Sequence, residues 1–134
     1  MLKVVNRFER KNLIEKIRSD AALIAPKFRL RYAAIQAESK NVKRRYGVCF
    51  IDGVIKIRLS HISTAEPLKY SSLISTLCHE LAHLRHFDHG PGFQRLYHEV
   101  LEYARDQGIY LPENDTSKRS ESFRSVGFKQ LDLF

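Results

Sequence analysis

The chain has 134 residues, enough for one domain and too few for two full cores. Its 43% hydrophobic and 28% charged residues exclude a disordered chain, and no apolar run reads as a membrane span or a signal peptide. Formal net charge is +8, from 23 Lys and Arg against 15 Asp and Glu, which favours polyanions by long-range attraction, nucleic acid first and anionic membrane second.

Over residues 7–25, Leu13, Ile14, Ile17, Ala21 and Ile24 follow helical spacing, and Pro26 ends the pattern. Residues 28–36, FRLRYAAIQ, alternate apolar and basic positions and predict a half-buried strand. Lys40, Lys43, Arg44 and Arg45 then cluster ahead of the next strand, while Arg29, Arg31, Lys56 and Arg58 alternate along strands. Residues 46–51 and 54–59 flank Asp52-Gly53, a dipeptide suited to a two-residue type I′ hairpin turn. In the second of these strands Ile55, Ile57 and Leu59 share one face, with Lys56 and Arg58 on the other. Ser63 and Glu66 resemble a capping box, with Pro67 suited to the first turn of a helix. That helix is expected to run through Leu73, Ile74, Leu77, Leu81 and Leu84 as a buried stripe.

Gly90-Pro91-Gly92 breaks the chain, and Phe93, Leu96, Tyr97, Val100, Leu101 and Ala104 outline a last helix that Gly108 caps. Beyond Pro112 the sequence turns polar and hydroxyl-rich, so residues 1–110 read as one domain and 111–134 as a flexible tail. Cys49 and Cys78 form no CxxC pair, which excludes a cysteine zinc ribbon and a disulfide scaffold. Both read as small buried hydrophobes in a cytoplasmic protein without membrane attachment.

The chemistry concentrates at His79-Glu80-Leu81-Ala82-His83. Residues four apart share a helix face about 6 Å along the axis, so His79 and His83 aim two imidazoles at one ion. Glu80 is rotated by about 100°, better placed to reach a water at that ion than the ion itself. Catalytic zinc uses three protein ligands. If the helix continued, His86 would lie about 10 Å from His79 along the axis, too far for convergence. His89 follows the predicted helix end, where the chain can fold back, and is the expected third ligand. His98 and His61 read as surface residues.

Residues 79–93, HELAHLRHFDHGPGF, resemble the SprT, WLM and YgjP-like metallopeptidases, which share HExxH, a later histidine and an aromatic four residues beyond it. The five residues between His83 and His89 match the compact WLM and YgjP-like form, and RYGVCFIDGVIKIRLS is similar to the small sheet before the active helix in SprT-like domains. The metzincins share the spacing, but this chain has His86 where they place a glycine, and its sole methionine is Met1. The resemblance covers most of residues 28–106. It implies a zincin-like α+β domain: an N-terminal helix, a three-stranded sheet with a hairpin, the HExxH helix and a C-terminal helix. It further implies one zinc ion on His79, His83 and His89, with Glu80 as general base and a protein or peptide as substrate. The substrate is expected to lie extended beside residues 54–59. Tyr97 and Tyr46 are candidates for stabilising the oxyanion, with core packing the alternative for each. No C-terminal zinc ribbon follows, unlike SprT itself.

Gln130-Leu131-Asp132-Leu133-Phe134 matches the QL[SD]LF peptide by which bacterial proteins bind the DNA sliding clamp. The alternative is a hydrophobic tail docked on its own domain. A peptidase motif, a basic surface and a clamp-binding tail together predict a zinc endopeptidase acting on DNA-associated proteins, of the DNA–protein crosslink repair type. The alternatives are a general intracellular peptidase with no DNA role and a non-catalytic zinc-binding adaptor at the clamp.

Overall fold

The structure, a computed structural model, describes residues 6–114. The first helix, α1 (Arg7–Ile24), begins at a true capping box, in which Asn6 Oδ1 accepts the Glu9 amide at 2.8 Å and Glu9 Oε1 accepts the Asn6 amide at 3.3 Å. Its inward face is the expected one, with Ile14, Ile17, Ala21 and Ile24 buried. Strands β1 (Ala34–Ala37), β2 (Gly47–Cys49) and β3 (Val54–Ile57) form a sheet in the order β1-β3-β2, with β1 parallel and β2 antiparallel to the central strand. Helix α2 (Tyr70–His83) packs on β2, β3 and α1, and α3 (Pro91–Asp106) packs on α2. This is the expected α+β arrangement. Among the described residues no helix is long and apolar enough to cross a membrane.

Local chemistry overrides four sequence expectations. The strand over 28–36 shrinks to Ala34–Ala37, because Pro26 starts a 3-10 turn over Ala25–Phe28 and Arg29 follows in the left-handed region at φ 57°. The hairpin turn holds three residues, not two. The Gly53 amide donates to Phe50 O at 2.9 Å and the Phe50 amide to Val54 O at 2.8 Å, with Gly53 at φ 89°. This is a type I turn closed by a glycine bulge, and the Asp52 carboxylate locks it by accepting the Val54 amide at 3.1 Å. The helix expected from Ser63 starts only after Lys69, because residues 60–68 reverse through a turn in which Ala65 takes φ 64°. Ser60 bridges Pro67, and the Leu68 amide reaches Leu59 O at 3.1 Å. Finally, Arg58 is not on a solvent face but 3% exposed. Its guanidinium donates to the carbonyls of Ser60, Lys40, Val42 and His61.

The sheet's two edges differ. On the β1 side, Arg18 Nε donates to Ile35 O at 2.7 Å and Arg10 Nη2 to Glu38 O at 3.2 Å, so α1 occupies that edge with arginines. On the β2 side no strand pairs among the described residues. The Schellman pattern at Gly108 (φ 74°) closes α3, with the Ile109 amide on Ala104 O at 2.8 Å and the Gly108 amide on Arg105 O at 3.0 Å.

Replacing Arg58 by Met keeps the apolar stem but leaves four carbonyls without their donor. An unsatisfied buried acceptor costs about 1–3 kcal/mol, so Arg58→Met is expected to lower unfolding stability by about 3 kcal/mol in urea titration. An unchanged midpoint would show the guanidinium to be dispensable.

Candidate metal centre

Helix α2 is buried on nearly every side, and its polar residues His79 and Glu80 are each only 1% exposed. The helix stops at His83, where the Leu84 and Arg85 amides bond back to Leu81 O and Ala82 O. The chain then reverses. Asp88 Oδ1 accepts the Gly90 amide at 3.0 Å, Gly90 caps α3, and Pro91 fills its first turn. This reversal returns His89 to the helix it left.

The three Nε2 atoms converge: His83 to His79 at 3.1 Å, His83 to His89 at 3.1 Å, and His79 to His89 at 3.3 Å. His83 Nδ1 donates to His86 O at 2.8 Å, which leaves its Nε2 as an acceptor. Burial, reinforced by the neighbouring imidazoles, pushes the His79 pKa down to about 2, and burial also lowers that of His83. Burial thus favours neutral His79 and His83 rings, and three Nε2 atoms converging on one point suit a cation. Nitrogens about 2.0–2.1 Å from a tetrahedral zinc stand roughly 3.3 Å apart, so the observed triangle fits such an ion. His79, His83 and His89 can therefore hold a metal.

Phe93 supplies the floor. Its ring stacks on His83 at 4.5 Å between centroids and meets His79 at 4.8 Å and His89 at 5.0 Å edge-on. Tyr97 stacks on Phe93, and its hydroxyl shares a 2.7 Å hydrogen bond with Ser75. Tyr46 is also buried, its hydroxyl accepting the Ile62 amide at 3.1 Å. Both phenols are thus held by hydrogen bonds within the fold. His86 contributes its carbonyl while its ring lies over Gly92; His61 and His98 are exposed.

A cleft of about 340 Å³ opens beside the triangle, with Glu80, His83, Arg45, Gly47, Val48 and Cys49 on its walls. Because Gly47, Val48 and Cys49 are the whole of β2, the cleft runs along that strand. Both Glu80 oxygens are buried without a hydrogen-bond partner, and burial pushes the carboxyl up to about 8 although Arg45 pulls it down. Arg45 itself pairs with buried Glu38 at 3.1 Å. Gly47 sets the spacing, since a methyl there would lie 2.6 Å from Thr76 Cγ2 and 3.0 Å from Glu80 Oε2.

The metallopeptidase domain described as YgjP-like matches residues 1–113. The chain belongs to the YgjP-like metallopeptidases. No curated protein matches it in sequence. Among solved structures, a Wss1 mutant from Saccharomyces cerevisiae superposes with a TM-score of 0.68 at 18% identity, covering 82% of this chain and 91% of that one. Wss1 from the same yeast gives 0.68 at 19% identity over 77% and 84% of the two chains. A Wss1 mutant from S. pombe gives 0.63 at 20% identity over 75% and 89%. At these identities the likeness is one of fold.

In this YgjP-like chain the structure brings His79, Glu80, His83 and His89 together. Gln130, Leu131, Asp132, Leu133 and Phe134 lie outside the described residues. Sequence reasoning missed the contact of Phe93 with all three imidazoles and the close approach at Gly47. Phe93 carried a signal as the aromatic four residues after His89, but Gly47 carried none.

Between the ordinary carboxyl value of 4.5 and about 8, folded metal-free protein keeps a Glu80 proton that the unfolded chain has released, so stability falls as pH rises through that window. Metal-free Glu80→Gln protein should therefore melt above metal-free parent near pH 8, with the gap closing towards pH 5. Thermal scans in chelator check this, and a gap independent of pH would contradict it.

Proposed function

We propose that this metallopeptidase is a zinc-dependent endopeptidase that cuts extended segments of DNA-associated proteins and is tethered to the replication sliding clamp. The carrying observation is the Nε2 triangle beside the partnerless, buried Glu80 carboxylate, in a cleft walled by an open strand edge. Three imidazoles with a fourth position open to the cleft suit catalytic zinc. When bound, the ion supplies Lewis acidity to water and to the scissile carbonyl.

Glu80 takes the proton from the attacking water and returns it to the leaving amine. For that it must be ionised, and Arg45 favours the charged form. The substrate strand cannot pair with β3, as the sequence suggested, because β1 and β2 occupy both of its edges. It pairs instead along β2, whose backbone lines the cleft and whose Gly47 keeps Glu80 within reach. Phe87 and Val48 add apolar surface to the same cleft, and Arg44 adds charge.

The surplus of eight positive charges supports work at nucleic acid. The clamp assignment of residues 130–134 is supported by sequence alone. A tether there raises local concentration without the catalytic domain needing high DNA affinity.

Three measurements test this reading. Purified parent and His86→Ala protein should each carry one zinc per chain, whereas His89→Ala should lose it; zinc loss with the His86 change alone sinks the ligand set. Glu80→Gln protein should retain zinc and lose peptidase activity by roughly 10²–10⁴-fold. Deleting residues 130–134 should abolish clamp binding and spare peptide cleavage in solution, and undiminished clamp binding would remove the tether.

A further inference from the structure

A second cavity, of about 280 Å³, lies outside the metal cleft. Arg10, Lys40, Lys43, Arg58, Ser63 and Thr64 are on its walls, and no acidic side chain is. It is a held shape rather than a gap between loose loops. Buried Arg58 ties the carbonyls of Lys40 and Val42, on one loop, to those of Ser60 and His61, on another. Arg10 is fixed by its bond to Glu38 O. The guanidinium of Arg58 spends four of its five donors on these carbonyls, so it lends the cavity charge and leaves most of the hydrogen bonding to others.

Those others are available. Arg10, Lys40 and Lys43 form no ion pair with a carboxylate among the described residues. Thr64 Oγ1 accepts the Glu66 amide at 3.3 Å, which leaves its proton free to donate. Unneutralised cations with hydroxyl donors around a small, shaped cavity match a tetrahedral oxyanion. The same loop carries Arg44 and Arg45 to the metal cleft, so positive charge continues from one cavity to the other. A ligand with one phosphate would use only the second cavity. A polyanion with phosphates repeated along its length engages both.

We propose that the Arg10–Lys40–Lys43 cavity takes a backbone phosphate of nucleic acid and aligns the strand beside the peptidase cleft. This rests on the DNA-associated role proposed above and gives it a specific contact. Backbone binding of this kind is salt-dependent, each neutralised phosphate adding about 0.9 to the slope of log affinity against log salt.

The test titrates full-length protein with a short fluorescein-labelled DNA duplex across a range of sodium chloride. Lys40→Ala/Lys43→Ala should bind about tenfold more weakly, with a slope smaller by about one, while exposed Arg31→Ala, outside both cavities, should match the parent. Thermal melts confirm folding of each. Equal affinity of parent and double variant overturns the cavity assignment and leaves the DNA role standing. Failure of the parent to bind duplex overturns that role and the proposal together. Inorganic phosphate that raises the parent's melting temperature at matched ionic strength, without duplex binding, overturns the nucleic-acid assignment in favour of a small phosphate.

Discussion

Helix α2 sits in the middle of the molecule and carries two imidazoles and a carboxylate among its leucines. Polar groups taken out of water must be paired, neutralised or put to use. Here burial keeps His79 and His83 neutral, the three imidazoles share one focal point, and much of the nearby structure serves that focus. The helix ends at His83 so that the chain can turn. The His86 carbonyl fixes the His83 tautomer, and Phe93 presses against all three rings. Both Glu80 oxygens stay buried without a hydrogen-bond partner, which costs the folded state free energy.

The cleft's electrostatics follow from a small buried arrangement rather than from net charge. Glu38, 3% exposed, holds Arg45, and Arg45 in turn biases Glu80 towards its ionised form. Positive charge near the cleft therefore has two parts. Arg45 is committed to the site, whereas Arg44, Lys43 and Lys40 on the same loop are exposed.

Much of this was legible in the sequence. Helical spacing gave α1 and α2, the fold-back after His83 singled out His89 over His86, and the Gly90-Pro91 break located the start of α3. What was not legible depends on pairing at a distance. An alternating pattern cannot reveal that Arg58 turns inward, because four carbonyls from two other loops have to arrive to receive it. A composition rule for Asp52-Gly53 could not count the turn residues, since the Asp52 carboxylate binds the Val54 amide and selects the longer loop. That β3 offers a substrate no free edge was illegible for a related reason. Strand order is a tertiary fact, and only the sheet shows β3 to be enclosed.

The arginines on β1 bear on a different matter, self-association. A sheet with two free edges can grow without limit, each copy adding its edge to the next, as in fibrils. Arg18 and Arg10 fill the Ile35 and Glu38 carbonyls with charged side chains, leaving β2 as the one open edge among the described residues. Copies that meet through β2 can form a pair and no more, and that pair would block the cleft it shares. The arginines thereby keep the β1 edge from adding to a neighbour's sheet.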